Sequence, residues 1–285
     1  MSQARVLVID GNVAAIRARQ MAALGYDSGV GYVKVLAALE PSLRCDIVLP
    51  GDADAVFPAG VTLADYDGVT MTGSALNINN GGDPVTRQVD LAKAVFAAGV
   101  PFFGSCWGLQ VAVTAAGGEV RANPRGREFG FARRITLTGS GRAHRLYAGK
   151  PAVFEAPTIH RDEIARLPTG AVELASNDMG VQGAAFEHGR GTFWGVQYHP
   201  EYDYLDIAAA AERYGATLVE EGMFADLAAL ANFAGELKSL NANPHDGPLL
   251  WRHGLGAAMR EASLRLRELR NWLDAQVLPR AARHA

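Results

Sequence analysis

Short apolar runs alternate with longer amphipathic stretches from the start of the chain to about residue 118. Four runs have the length and composition of strands that are covered on both faces, at residues 6–9, 46–49, 68–71 and 100–103. The stretches that follow them predict helices at residues 12–24, 32–39, 84–98 and 109–116, the third with Asp83 as its N-cap and Pro84 as its first helical residue. Strands that alternate with helices predict an α/β fold, a three-layer αβα sandwich with a mostly parallel central sheet. The functional site is then expected at the carboxyl ends of the strands.

The pattern changes twice in the second half of the chain. Residues 119–194 are rich in strand-forming segments, such as residues 134–138 and 152–154. Beyond Glu201 the chain becomes helical, with helices predicted at residues 204–221 and 224–240 and a clear break at residues 241–244.

The last part of the chain carries an apolar stripe at helical spacing. Its members are Met259, Leu266, Leu269, Leu273 and Val277, and arginines occupy the opposite face, which we interpret as solvated rather than ligand-binding. We therefore divide the chain into a catalytic domain, residues 1–215, and a helical C-terminal extension, residues 216–285. A lone helix cannot bury such a stripe, so the extension should pack against the domain or against a second subunit, which would make a homodimer.

Composition narrows the class of protein. The 285 residues are 49% hydrophobic and 20% charged with a formal net charge of −3, which argues against a nucleic-acid partner. Two cysteines give no disulfide framework, and no apolar run reaches the roughly 18 residues that a membrane span needs. Met1, Ser2 and Gln3 lead directly into the first predicted strand, which leaves no room for a signal peptide. We expect a cytoplasmic protein that binds neither nucleic acid nor membrane.

Gly104-Ser105-Cys106-Trp107-Gly108 lies between a predicted strand and a predicted helix. A reactive side chain at a sharp strand-to-helix turn is the geometry of a nucleophile elbow, and the flanking glycines let strand and helix approach closely. The positive end of the helix dipole favours a thiolate there, although a dipole alone does not suffice. The alternative for Cys106 is a small core residue, which is the commoner role of a cysteine.

A second segment supplies the groups that such a cysteine needs. Residues 192–194 form an apolar run, and the segment 195–201 that follows carries His199 and, two residues later, Glu201. A nucleophilic thiol needs a base, and the base needs an orienting acceptor, so Cys106, His199 and Glu201 fit a catalytic triad. The other histidines have no metal-ligand spacing and no phosphate-binding loop is present, so neither a metal nor a cofactor is expected.

Residues 104–110 and 195–201 resemble the two signatures of class I glutamine amidotransferases, in particular the GMP-synthase-like branch with its small free-standing members and γ-glutamyl peptidases. The resemblance covers about residues 4–205 and implies a flavodoxin-like fold. It also implies a Cys-His-Glu triad that cleaves a side-chain amide through a glutamyl thioester.

The same resemblance implies roles for further residues. The backbone N–H groups of Trp107 and Gly73 would form the oxyanion hole, although this chain has Gly73-Ser74-Ala75 where relatives have Gly-Gly-Pro. Residues that would contact the substrate are Gln110, Glu128, Phe129, Gly130 and His160. Each also has an ordinary structural alternative: Gly73 as a strand-ending glycine, Gln110 as a plain helix residue and His160 as a residue that structures its own turn.

Three functions compete at this stage. The first is a glutamine amidotransferase or glutaminase that supplies ammonia. The acceptor enzyme would be a separate synthetase chain, because the residues after 214 are too few and too helical to form a nucleotide-activating domain. The second is a self-contained γ-glutamyl hydrolase or peptidase that uses the same triad on γ-glutamyl conjugates. The third, disfavoured by the complete triad, is a non-catalytic binding module of the same fold.

Overall fold

The centre of the molecule is a nine-stranded sheet, seen in a computed structural model that describes residues 3–284. Its strands, in chain order, are β1 (Arg5–Ile9), β2 (Arg44–Val48), β3 (Gly68–Met71), β4 (Phe102–Ser105), β6 (Glu128–Leu137), β7 (Val153–His160), β9 (Val172–Asn177), β10 (Gly180–His188) and β11 (Gly191–Val196). Two further strands, β5 (Glu119–Ala122) and β8 (Asp162–Arg166), pair with each other apart from this sheet.

The strand order across the sheet is β2-β1-β3-β4-β11-β10-β9-β6-β7. The first five strands in this order run parallel to their neighbours, and the remaining four extend one edge in antiparallel pairs. The pairing of β4 with β11 sets Gly104 opposite Gly195 and Ser105 opposite Val196. The strand that ends at Cys106 therefore lies beside the strand that leads to His199.

Helices cover both faces of the sheet. They are α1 (Ala14–Leu24), α2 (Ser28–Leu39), α3 (Asp83–Ala98), α4 (Trp107–Ala115), α5 (Gly139–Ala143), α6 (Tyr204–Glu220), α7 (Leu227–Ala242), α8 (Gly247–Arg252), α9 (Ala257–Arg260), α10 (Ala262–Arg265), α11 (Arg267–Trp272), a π-helical turn (Leu273–Val277) and α12 (Leu278–His284). On one face α3 and α4 pack on alternate residues of β1 and β3, such as Leu7 and Val69, in one hydrophobic cluster. On the other face α2 and the last helices pack on residues such as Val6 and Phe103. The αβα sandwich predicted from the sequence is confirmed.

Several element bounds differ from the prediction. The helix α2 begins at Ser28 because the side chain of Asp27 accepts a hydrogen bond from the Val30 N–H and caps it there. Gly82 is the N-cap of α3, one residue earlier than predicted, and α7 begins at Leu227, where Asp226 supplies the cap. The predicted division at residue 215 falls within α6, and the assignment of two units stays a prediction. Met1 and Ser2, which entered the argument about a signal peptide, lie outside the described residues.

The C-terminal helices cover one face of the central sheet. Trp272, Leu273 and Val277 are fully buried, and the Trp272 ring lies 5.8 Å from the ring of Phe103 on β4. Burial of a large apolar side chain stabilises the folded state by about 1.5–3 kcal/mol. The predicted apolar stripe is therefore intramolecular, although it is divided among short helices. Trp251 on α8 lies outside this packing and is 86% exposed.

Candidate active site

Cys106 occupies a strained backbone position between β4 and α4. Its φ is 51° and its ψ is −99°, in the positive-φ region that residues other than glycine rarely adopt. Its backbone N–H donates to the Val196 carbonyl at 2.7 Å, which ties the turn to the end of β11. Only 5% of Cys106 is exposed, and its sulfur lies 3.6 Å from the carbonyl oxygen of Ile159.

The glycines on either side of Cys106 are required by close backbone contacts. A Cβ at Gly104 would lie 2.4 Å from the Gly108 carbonyl carbon, and a Cβ at Gly108 would lie 2.5 Å from the Met71 carbonyl oxygen. Carbon atoms normally approach no closer than about 3.5 Å. The spacing of two residues before and after the cysteine thus follows from the packing of α4 against β3 and β4.

His199 and Glu201 follow β11 as the sequence predicts. The Nδ1 atom of His199 lies 2.8 Å from Oε1 of Glu201, and both side chains are almost completely buried. The backbone N–H of His199 donates to the Pro157 carbonyl at 2.8 Å, and the Tyr202 ring stacks on the imidazole at 4.1 Å with an angle of 8° between the planes. The imidazole is therefore held in one orientation, with Nδ1 directed at the carboxylate.

Two opposing effects act on the imidazole of His199. Burial by itself lowers the pKa of His199, but the charges of Glu201 and Cys106 and their hydrogen bonds outweigh it and raise the pKa from 6.5 to about 10. The charged imidazolium is thus the form that this environment favours at neutral pH.

Gly73 lies against the edge of the His199 ring. A Cβ at this position would be 2.3 Å from Cε1 of His199, so only glycine leaves room for the imidazole. The surrounding loop is fixed because Asn12 accepts a hydrogen bond from the Ala75 N–H at 3.0 Å and Ser74 donates to the Gly11 carbonyl at 2.8 Å. Trp107 is the first residue of α4, where a backbone N–H has no partner within the helix.

A cavity of about 230 Å³ opens beside these groups. Its walls include five of the residues singled out from the sequence, namely Cys106, His199, Gly73, Gln110 and His160. Gln110 is buried and lies 3.4 Å from the Gln197 side chain. Glu201 stands behind His199 and faces a different cavity.

The segment Glu128-Phe129-Gly130 does not line this cavity. Glu128 instead binds Nε2 of His160 at 2.9 Å and accepts from Asn177 at 2.7 Å, while Nδ1 of His160 lies 2.9 Å from the Asp162 carbonyl. Both ring nitrogens of His160 are therefore bound by other groups of the protein, as expected if His160 structures its own turn. Phe129 packs with aromatic residues of the C-terminal helices.

The sequence pattern did not identify several of the residues that line the cavity. Tyr202 directly follows Glu201, so its position next to the triad could have been read from the sequence. Asn12 follows β1 and Arg213 lies on α6, so only the folded chain brings them together. Arg127, which directly precedes Glu128 in the segment expected at the substrate, also lines the cavity. Arg127 is already paired with Glu221 at 2.7 Å.

Residues 3–284 lack two features. They contain no group of three or more His, Cys, Asp or Glu side chains arranged to hold a metal ion. In the same part of the chain, none of the helices has the length and apolar character needed to cross a membrane.

Comparison with known proteins agrees with this geometry. Residues 26–205 match the family model "Glutamine amidotransferase class-I". A γ-glutamyl-L-1-hydroxyisopropylamide hydrolase from a Pseudomonas species is 35% identical over 99% of this chain and 96% of its own length. GMP synthase from Streptomyces coelicolor is 35% identical over 47% of this chain, which corresponds to only 23% of that enzyme.

Solved structures show the same fold at low sequence identity. A glutamine amidotransferase from Thermotoga maritima superposes with a TM-score of 0.67 over 96% of this chain and 98% of its own, at 17% identity. One from Methylobacillus flagellatus gives a TM-score of 0.63 over 96% of each chain, at 19% identity. The chain belongs to the class I glutamine amidotransferase family and is a glutamine amidotransferase-like C–N hydrolase.

Proposed function

We propose that this protein hydrolyses the γ-amide bond of γ-glutamyl amides, glutamine included, with Cys106, His199 and Glu201 as its catalytic residues. The observation that carries the proposal is that the strained Cys106 and the Glu201-bound His199 line one cavity. A cysteine and a histidine so placed perform nucleophilic catalysis on acyl groups.

The first half of the reaction forms a thioester. A cationic imidazole beside the sulfur stabilises a thiolate, which attacks the γ-carbonyl carbon. His199 then gives its proton to the departing nitrogen, and the C–N bond breaks to release an amine, or ammonia when the substrate is glutamine. Glu201 keeps Nδ1 protonated and so presents Nε2 to the reaction.

The second half consumes water. His199, now neutral, takes a proton from a water molecule, whose oxygen attacks the thioester carbonyl and releases glutamate and the thiolate. Both tetrahedral intermediates carry an oxyanion, for which the N–H groups of Trp107 and Gly73 are the proposed donors. Loss of one such donor costs about 10²–10³-fold in kcat.

Gln110 and His160 are the proposed substrate-binding residues on the cavity wall. The segment Glu128-Phe129-Gly130 is proposed to support the cavity wall and not to contact the substrate, because Glu128 holds His160 in place.

The extent of similarity favours hydrolysis of γ-glutamyl amides within this one chain. The Pseudomonas hydrolase matches through the C-terminal helices, whereas the GMP synthases match over only 20% to 37% of their own length. Supply of ammonia to a separate synthetase chain is the second candidate, favoured by those GMP synthases. We also propose that the protein forms a homodimer and is located in the cytoplasm. Light scattering of the purified protein gives its molar mass and so tests the homodimer.

The experiment is to incubate purified protein with glutamine and a panel of γ-glutamyl amides and to measure released glutamate. We expect hydrolysis by the wild type, with a higher kcat/KM for substituted amides than for glutamine, and none by Cys106→Ser. Hydrolysis of glutamine alone would favour the ammonia-supplying candidate. Absence of glutamate from every substrate would refute the proposed function.

A further inference from the structure

A second cavity of about 320 Å³ lies next to the candidate active site. Three residues, Gln20, Tyr202 and Arg213, line both cavities, so the two spaces share a wall. Tyr202 is also the ring that stacks on His199. We call this second space the Tyr26 cavity, after the tyrosine on its far side that donates to Asp206 at 3.0 Å.

The chemistry of amide cleavage places the leaving group beside Nε2 of His199. His199 must protonate the departing nitrogen, so any substituent on that nitrogen has to extend past the imidazole. Tyr202 covers one face of the imidazole and also lines the Tyr26 cavity, so this cavity is open to a substituent that extends past His199. Glutamine has no such substituent and would leave this cavity unused.

Two arginines in the Tyr26 cavity have no acceptor. Within residues 3–284, the guanidinium groups of Arg213 and Arg265 make neither a hydrogen bond nor an ion pair, and the buried Nε atom of each has no partner. Buried N–H donors without an acceptor are costly, and a carboxylate is the acceptor that matches a guanidinium best.

The acids in the same cavity are largely occupied by other donors. Asp203 and Asp206 cap the start of α6, and Asp27 caps α2. Their charges partly balance the arginines across the cavity, but they leave the guanidinium N–H groups without acceptors. Among the acids of this cavity, Glu201 has a buried carboxylate oxygen, Oε2, without a partner in the described chain.

We propose that the Tyr26 cavity is a leaving-group subsite in which Arg213 and Arg265 bind a carboxylate, so that γ-glutamyl amino acids and short γ-glutamyl peptides are preferred substrates. The inference rests on the proposed function and adds the chemistry of the amine product. Arg213 lies at the wall shared with the active site and meets the carboxylate of an amino acid attached to the scissile nitrogen. Arg265 lines only the Tyr26 cavity and serves longer leaving groups or shares the same carboxylate.

The test compares γ-glutamylalanine with γ-glutamylalaninamide, which differ only in the charge of the leaving group. We measure kcat/KM for both, and for glutamine, in the wild type, Arg213→Met, Arg265→Met and Arg265→Lys. Arg260→Met is the matched control because Arg260 is an exposed arginine in the same region that does not line the cavity. Melting temperatures check that each variant is folded, and Arg265→Lys keeps the charge if the methionine variant is unstable.

We expect the wild type to prefer γ-glutamylalanine. Arg213→Met or an Arg265 variant should lower the ratio of kcat/KM for γ-glutamylalanine to kcat/KM for γ-glutamylalaninamide about 10- to 100-fold, because this is the effect of losing a hydrogen bond to a charged group. The control should keep the wild-type ratio. An unchanged ratio in every variant overturns the inference, as does a parallel loss on all substrates, which would mean that Arg213 binds the glutamyl part. If wild-type protein hydrolyses glutamine and γ-glutamylalaninamide but not γ-glutamylalanine, the subsite is refuted and the proposed function stands. If it hydrolyses none of the three, both fail.

Discussion

Replacing Gly73 with alanine should lower kcat strongly while keeping the fold. The new methyl carbon would lie 2.3 Å from Cε1 of His199, about 1 Å inside a normal carbon contact. The imidazole cannot move away freely, because Glu201 holds Nδ1 at 2.8 Å and Tyr202 covers one face. A displacement of about 1 Å at a catalytic group costs on the order of 10²-fold in kcat, or about 2.7 kcal/mol in the activation barrier.

The assay is steady-state glutamate release by Gly73→Ala, with Gly235→Ala as the control. Gly235 lies in α7 with open space around it, so alanine there should keep full activity and stabilise the helix by about 0.5–1 kcal/mol. Because alanine keeps the backbone N–H of residue 73, the loss would come from the displaced imidazole and not from a missing oxyanion donor. Wild-type kcat in Gly73→Ala would show that the loop yields and would refute this reasoning.

The thiol, the C-terminal helices and the histidine each give a further prediction. Cys106→Ala should lower kcat about 10⁴-fold and abolish covalent labelling by a diazoketone analogue of glutamine, whereas labelling of Cys45→Ala should persist. Truncation after residue 214 should remove Trp272 from the core and cause aggregation or a lower Tm, and unchanged melting would contradict the packing described. Since the pKa of His199 is raised from 6.5 to about 10 by folding, its stabilising contribution is complete below pH 6.5 and is lost as pH rises toward 10. The difference in free energy of unfolding between wild type and His199→Asn should therefore shrink over that window, and a constant difference would contradict the assignment.

The elements closest to the chemistry could be predicted because their signals are local. Gly104 is required by its contact with Gly108, four residues away, whereas Gly108 packs against Met71 on β3. Both glycines could still be recognised from their spacing around Cys106. His199 and Glu201 are two residues apart, so the hydrogen bond between their side chains depends only on the loop after β11. The alternation of strands and helices likewise required only short windows of sequence.

The rest of the site depends on contacts that no local pattern encodes. Glu128 was expected at the substrate, yet it supports His160 through a pairing of β6 with β7. Arg213 lies on a helix whose sequence shows only an amphipathic pattern, and its lack of an acceptor is visible only after folding. The sequence therefore predicted that Cys106, His199 and Glu201 lie close together, but not which distant segments form the walls of the cavity. The catalytic roles of the three residues stay predictions.

A buried polar network connects the C-terminal helices to the candidate active site. Glu268 on α11 is fully buried, pairs with Nζ of Lys150 at 2.9 Å and accepts a hydrogen bond from the hydroxyl of Tyr198. Tyr198 immediately precedes His199, and its hydroxyl also lies 3.2 Å from that of Tyr147. A buried ion pair contributes little net stability, but removing one partner leaves an uncompensated charge and costs about 3–5 kcal/mol. A network of this kind specifies one arrangement of the chain, and here it fixes the residue next to His199 to a helix more than 60 residues away. The C-terminal extension, which we expected to pack against the domain or a second subunit, is thus joined to the segment that leads from β11 to His199.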